Sequence, residues 1–160
     1  MADFATLTVR YRLQMAIYPW RRLERTPWQP LRVPLQQARI ALVTSAGLYR
    51  RELDEPFAQM SGGDPSFRVI PDNVEPGTLV VGQTSHAFDH GPAERDLNLV
   101  LPLEPLHALV VAGEVGSAAA RHLSFNGSIT APGRLVRRTA PEAAELLRGD
   151  GVDVALFVPV

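Results

Sequence analysis

The densest group of polar side chains in the sequence falls within residues 84–98. It combines two histidines, two carboxylates and an amide: His86, Asp89, His90, Asp96 and Asn98. Two histidines four residues apart with a carboxylate between them could bind a divalent metal ion. A His–Asp pair could instead act as a general base with its orienting group. Alternatively, the Asp and Asn side chains could anchor a loop through local hydrogen bonds.

The metal hypothesis needs a third and a fourth ligand. Asp96 or His122 could supply one, but no spacing in the sequence requires it, and Pro92 limits any helix that would align the two histidines. We therefore predict no metal site in this chain. A catalytic or substrate-binding role for the loop and a purely structural one both stay open.

Two further candidate positions lie elsewhere in the chain. His122 and Ser124 share one face if their segment is extended, so both could point into a cleft. Ser124 lacks the Gly-x-Ser-x-Gly context of an activated nucleophile, and a hydrogen-bonded structural histidine is the alternative for His122. Ser45 follows a predicted strand, but the turn lacks the glycine spacing of a nucleotide-binding loop.

The elements that must position these residues alternate between strands and helices. Apolar runs and turn signals predict strands at 39–44, 67–70, 78–82 and 153–160, and we expect the last to be buried. Helices are predicted at 3–18, 102–112 and 139–148, the last with Thr139 as N-cap of a capping box. This order favours an α/β fold with a small, mostly parallel sheet of about four strands flanked by helices. The 84–98 loop then lies over the carboxyl edge of the sheet.

Residues 1–37 are predicted to form a separate amino-terminal region, and residues 38–160 the α/β domain. The region begins with the helix, which Pro19 ends, and continues as an extended arm rich in Pro and Trp. Residues 1–39 hold seven arginines against two acids, Asp3 and Glu24. The region could therefore dock on an acidic partner, although a solvated helix face explains the charge as simply.

Composition excludes several function classes. The chain has a net charge of −1, so no global field attracts nucleic acid or a membrane surface. It has no cysteine and no lysine, which excludes thiol and Schiff-base chemistry from these residues. We see no secretion signal and no apolar run long enough to span a membrane, so we predict a cytoplasmic protein.

Several segments together resemble one known family, the selenoprotein B family of glycine/sarcosine/betaine reductases with the related D-proline reductase subunit. The match runs through residues 38–160. The segments that carry it are Ala38–Gly47, Gly63–Arg68, the histidine loop, Gly113–Gly116, Arg121–Gly127 and Asp150–Val160. The arm motif Tyr18-Pro19-Trp20 also resembles that of short family members.

The resemblance implies an oxidoreductase subunit that cleaves a C–N bond reductively with a dithiol/disulfide couple. It implies an amino-acid-like substrate, a thiol redox partner or further subunits, and allows a homo-oligomer. His86, Asp89, His90 and Asp96 are then the expected catalytic residues, with His90 as proton donor to the leaving amine. Asn98, His122, Ser124 and Ser45 are the expected substrate-binding residues.

The family's reactive selenocysteine or cysteine is expected directly after Val160, where the helix amino terminus that follows would stabilise a selenolate or thiolate. The chain itself contains neither residue, so whether it is an enzyme stays open. One hypothesis is a UGA selenocysteine codon read as a stop, which gives a domain truncated at its carboxyl end. The alternative is a non-catalytic module derived from the family that binds a small carboxylate or serves in assembly.

Overall fold

The computed structural model describes residues 8–18, 24, 26–83 and 88–160. The chain divides into two units, Met1–Pro30 and Leu31–Val160. The first contains helix α1, Val9–Ile17, which confirms the middle of the helix predicted at 3–18. Residues 3–7, Pro19 and Trp20 lie outside the described residues, whereas Trp28 is described and largely exposed.

The second unit contains seven strands and three helices among its described residues. The strands are β1 Arg39–Thr44, β2 Leu48–Arg50, β3 Phe67–Pro71, β4 Leu79–Val81, β5 Ser117–Ala118, β6 Arg121–Phe125 and β7 Val154–Val158. The helices are α2 His90–Arg95, α3 Leu103–Val111 and α4 Ala140–Gly149. Single 3-10 turns lie at Leu35–Gln37, Pro76–Thr78 and Leu97–Leu99, and a π-helical turn at Leu135–Thr139 precedes α4.

The main sheet is small and mostly parallel, which confirms the predicted fold class. Strand β1 lies at its centre and pairs in parallel with β5 and β6 on one edge and with β7 on the other. Strand β3 pairs antiparallel with β6. Every residue of β1 except Arg39 is buried, because both faces of this strand are covered, and this explains its uninterrupted apolar run.

The pairing of β1 with β5 and β6 contains a bulge. Arg39 pairs with Ser117 and Thr44 pairs with Ser124. The β5–β6 segment therefore advances seven residues where β1 advances five. Within this bulge the backbone N–H of Leu42 donates to the ring of His122 rather than to a strand carbonyl. A side chain of β6 therefore replaces a missing rung of the ladder.

Two apolar clusters cover the faces of the main sheet. One includes Ile40 and Leu42 of β1 and Leu106 of α3. The other includes Val43 of β1 and Leu147 of α4. The alternation of these β1 residues between the clusters follows from the two-residue period of a strand.

Three local predictions were wrong. Strand β4 pairs antiparallel with β2 in a separate two-stranded sheet, so the loop after it does not follow a strand of the parallel sheet. The last strand is not buried, because β7 pairs only with β1 among the described strands and Phe157 is 71% exposed. Thr139 is not an N-cap: the chain is already helical there, and its hydroxyl donates to the carbonyl of Pro65.

Helix α3 ends as the sequence predicts, with Gly113 in the left-handed conformation directly after the cap residue Ala112. Leu106 of α3 is buried, whereas Leu109 of the same helix is exposed. Among the described residues, no helix is both long enough and apolar enough to cross a membrane.

Candidate functional site

The main candidate site is a cavity at the carboxyl ends of three neighbouring parallel strands, β6, β1 and β7. Val43 of β1 pairs with Leu123 of β6 and with Phe157 of β7, so these strands end side by side. The cavity, called the edge pocket below, has a volume of about 420 Å³. Its walls include Thr44, Ser45, Phe125, Asn126, Phe157 and Val160. Open α/β sheets bind ligands at this edge.

The edge pocket is mostly apolar, and none of the side chains that line it is charged. Its few polar side chains include Thr44 and Ser45, and both are engaged within the protein. The hydroxyl oxygen of Thr44 accepts the N–H of Ala46 at 3.1 Å. The pocket can therefore hold a hydrocarbon group, but the hydroxyls of Thr44 and Ser45 already form hydrogen bonds within the protein.

Ser45 joins the ends of β1 and β7. Its Oγ accepts the backbone N–H of Val160 at 2.9 Å and donates to the carbonyl of Val160 at 3.3 Å. The backbone N–H of Ser45 donates to the carbonyl of Val158. The sequence-predicted residue Ser45 thus lies in the pocket, but its hydroxyl is already bonded and it fixes the direction of the β7 end.

The segment Asn126–Ser128 forms the wall of the edge pocket beyond β6. Asn126 is 6% exposed, and its side-chain oxygen has no hydrogen-bond partner. Ser128 has a φ of 59°, a left-handed conformation that is uncommon for serine. Buried unpaired polar atoms and strained backbone are both enriched at functional sites. Asn126 was not among the site residues predicted from the sequence, although it lies in the segment Arg121–Gly127 and begins an Asn-Gly pair directly after a strand.

His122 and Ser124 are brought together on one face of β6, as predicted, but both are fully buried. His122 makes two hydrogen bonds: its Nδ1 accepts the N–H of Leu42 at 2.9 Å, and its Nε2 lies 3.0 Å from Oδ1 of Asp72. The same Asp72 oxygen lies 2.7 Å from Nε2 of His107. Because Nδ1 accepts, Nε2 carries the proton and donates to Asp72. This arrangement matches the structural alternative for His122.

The electrostatics of this histidine–aspartate–histidine group keep His122 neutral. Burial lowers the pKa of His122, and this effect outweighs the opposing hydrogen bond and charge of Asp72. Burial alone would raise the pKa of Asp72, but the hydrogen bonds from His122 and His107 hold it below its ordinary range. Asp72 was missed by the sequence analysis, since it stands alone in a turn after β3 with no motif around it.

The described residues of the 84–98 loop lie away from the edge pocket lining, and His86 lies outside the described residues. Asp89 caps α2 by accepting the N–H of Gly91, and His90 packs edge-on against Phe88. Asp96 accepts the N–H of Asn98, as expected of a loop held by local hydrogen bonds. The side chains of Asp96 and Asn98 line a different cavity of about 300 Å³ that shares no residue with the edge pocket.

No group of three or more histidine, aspartate or glutamate side chains is placed to hold a metal ion within the part of the chain that the structure describes.

Of the candidate residues, the structure brings together Ser45, Asn126 and the end of β7 at the edge pocket. It separates them from Asp96 and Asn98, which line the other cavity.

Comparison with known proteins gives one clear relative. The chain is 33% identical over 155 residues to D-proline reductase subunit gamma of Acetoanaerobium sticklandii. The aligned region covers 94% of this chain and 60% of the relative, so the chain spans about three fifths of that protein's length. No family model matches the chain, and no solved structure gives a significant match.

Proposed function

Because the chain belongs to the D-proline reductase/selenoprotein B family, we propose that it is a reductase subunit for reductive C–N cleavage of a small amino-acid-like carboxylate. The observation that carries the proposal is the 33% identity along nearly the whole chain. The edge pocket supports it, because it lies where α/β proteins place their chemistry and has room for a small ring.

In the proposed reaction a selenolate or thiolate attacks the carbon that bears both the amine and the carboxylate. The new Se–C or S–C bond forms as the C–N bond breaks, and the nitrogen takes the electron pair and a proton. A thiol then attacks the selenium or sulfur, the carbon leaves with the electron pair and a proton, and a mixed disulfide or selenenylsulfide forms. A dithiol partner reduces that bond and is itself oxidised to a disulfide.

We place the reactive selenocysteine or cysteine directly after the position of Val160. Strand β7 runs to the edge pocket, and Ser45 holds both backbone groups of Val160, so a side chain at the next position would start from a fixed peptide. Fixing the reactive group raises its effective concentration toward a ligand in the pocket. In this proposal Ser45 acts as a positioning residue.

His90 stays our candidate for proton donor to the departing amine, with His86, Asp89 and Asp96 as proposed catalytic neighbours. The described members of this set line no part of the edge pocket, so the proposal requires the 84–98 loop to approach the ligand. In a form of the chain lengthened by a cysteine after Val160, we expect His90→Ala to lower turnover at least tenfold, whereas a His107→Ala control on α3 leaves turnover unchanged. Equal turnover in both variants would remove His90 from the mechanism.

A second candidate function follows from the absence of cysteine in the chain. Without a redox residue supplied at the edge pocket, the chain could bind a small carboxylate or assemble with partner subunits but could not reduce anything. The two candidates share the same pocket and differ only in the group placed next to Val160.

The test compares two lengthened forms of the chain, one with a cysteine and one with a serine directly after Val160. Each is incubated with D-proline, dithiothreitol and the other subunits of the reductase, and 5-aminopentanoate is measured by mass spectrometry. We expect product only with the cysteine form. Product from neither form, with D-proline binding retained, would favour the binding module, and reading the gene past codon 160 for UGA supplies independent evidence.

A further inference from the structure

A second, polar cavity adjoins the edge pocket and is called the loop pocket below. It has a volume of about 360 Å³ and lies between residues 58–63 and residues 126–130. Its polar side chains are amides and hydroxyls, those of Gln59, Asn126, Ser128 and Thr130, and no charged side chain lines it.

The two loops that enclose this pocket pack closely against each other at Gly62 and Gly63. A Cβ atom on Gly62 would stand 2.7 Å from Cβ of Ala131, and one on Gly63 would stand 2.8 Å from Cα of Ile129. The N–H of Ala131 donates to the carbonyl of Gly62 at 3.0 Å. Both glycines also have positive φ, so no other residue fits here without strain.

The base of the first loop is fixed by a buried carboxylate. Asp64 accepts the backbone N–H groups of Ala58 and Ser66 and the hydroxyl of Ser66. The shape of the loop pocket is therefore set by the fold. It is a preformed cavity whose two sides are held at a fixed distance.

The two pockets share three consecutive residues, Asn126–Ser128. Asn126 stands at this common wall and is more than nine-tenths buried, and its side-chain oxygen accepts no hydrogen bond from any residue that the structure describes. That oxygen has almost no accessible surface and lies beside Gly47, which lines neither pocket, so a ligand would contact other atoms of the Asn126–Ser128 wall.

We infer that the two pockets form one site for a small cyclic or branched amino acid. The hydrocarbon part lies in the edge pocket and the carboxylate lies among the hydroxyl and amide groups of the loop pocket, on the two sides of the shared wall Asn126–Ser128. The carboxylate goes to the loop pocket because the Thr44 and Ser45 hydroxyls are already engaged. This assignment rests on the proposed function, since that function supplies the ligand class.

The test uses three probes of one ring size: D-proline, cyclopentanecarboxylate, which lacks the N–H, and pyrrolidine, which lacks the carboxylate. Each is titrated into the full chain and followed by amide NMR shifts. We expect both carboxylates to shift amides in residues 58–63 and 126–130, and pyrrolidine to leave residues 58–63 unmoved. Thr130→Val should weaken the binding of both carboxylates about tenfold, which is the effect of losing one hydrogen bond to a charged group. The affinity for pyrrolidine should not change.

Thr78→Val is the matched control, because the Thr78 hydroxyl donates to the carbonyl of Glu75 in a turn outside both pockets. Equal affinity of Thr130→Val and the control for cyclopentanecarboxylate would overturn the inference, and so would the absence of binding by every probe. Binding of D-proline without product in the turnover assay would instead contradict the proposed reaction and leave the two-pocket site standing.

Discussion

Replacing His122 separates the two hydrogen bonds that this buried side chain makes. The amide oxygen of an asparagine can take the place of Nδ1 and still accept the N–H of Leu42, whereas a glutamine can reach Asp72 in place of Nε2. His122→Leu removes both bonds. The three variants therefore measure the bulge contact and the aspartate contact independently.

The expected losses of stability follow from burial. In His122→Gln the Leu42 N–H, inside a fully buried strand, loses its acceptor, which costs about 1–3 kcal/mol. In His122→Asn the bond to Asp72 is lost, but this carboxylate is partly exposed and still paired with His107, so water can replace the missing partner. We expect this lost bond to lower the free energy of unfolding by only about 1 kcal/mol, with a separate loss of packing because asparagine is smaller than histidine. We expect His122→Leu to lose about 3 kcal/mol, a large share of a stability of about 5–15 kcal/mol.

Urea unfolding at pH 7.5 measures these losses, and hydrogen exchange of the Leu42 amide reports on the bulge directly. His107→Gln is the control, because His107 is half exposed and should change stability by less than 1 kcal/mol. The reasoning fails if His122→Leu costs no more than this control, or if the asparagine variant is less stable than the glutamine variant.

The same side chain gives the wild type a pH dependence. Because burial lowers the pKa of His122, the unfolded chain binds a proton near the ordinary value of 6.5 before the folded chain does. Stability is therefore complete above about pH 6.5 and falls as the pH drops below it. We expect His122→Leu to lose this slope in urea unfolding between pH 7.5 and 5.5. An unchanged slope would show that another group carries it.

Three further predictions concern the pockets. Asp64→Asn should destabilise the chain by about 1–3 kcal/mol at pH 7 in urea unfolding. Burial would raise the pKa of Asp64, but hydrogen bonding to Ser66 holds it below its ordinary value, so the wild type should lose its greater stability over this variant only below about pH 4. Gly62→Ala should force the two loops of the loop pocket apart, because its Cβ would stand 2.7 Å from that of Ala131, and should weaken cyclopentanecarboxylate binding in NMR titration, with pyrrolidine binding unaffected. Phe157→Ser should leave stability within about 1 kcal/mol, because the ring is mostly exposed, but should weaken pyrrolidine binding.

Local patterns sufficed for the parts of the fold that depend on neighbours in sequence. The apolar run 39–44 predicted the bounds of β1, and Gly113 predicted the end of α3. Predictions failed where a distant contact decides the structure. Thr139 has every local mark of a helix cap, but its hydroxyl donates to Pro65, 74 residues away, and the chain before it is already helical. An apolar run also cannot tell a central strand from an edge strand, and so β7 was expected to be buried.

The candidate site shows the same contrast between features set by local sequence and features set by distant contacts. Ser45 was found because it follows a recognisable strand, and the structure does place it in the edge pocket. The 84–98 loop was favoured for its composition, and the strand before it was assigned to the wrong sheet. Asp72 could not be found from sequence, because its two histidine partners lie 35 and 50 residues away.

His122 lies on β6 and Asn126 directly follows it, and the two side chains differ in how their polar atoms are paired. His122 stands near the amino end of the strand, where every polar atom of the ring has a partner and the pKa of the ring favours the neutral form. Asn126 stands just past its carboxyl end, where the side-chain oxygen has none. A satisfied group stabilises the bulge that shapes the strand, whereas an unsatisfied buried acceptor costs stability and, next to the left-handed Ser128, is typical of a functional site. The carboxyl end of β6, rather than the histidine cluster, is therefore where substrate should be sought.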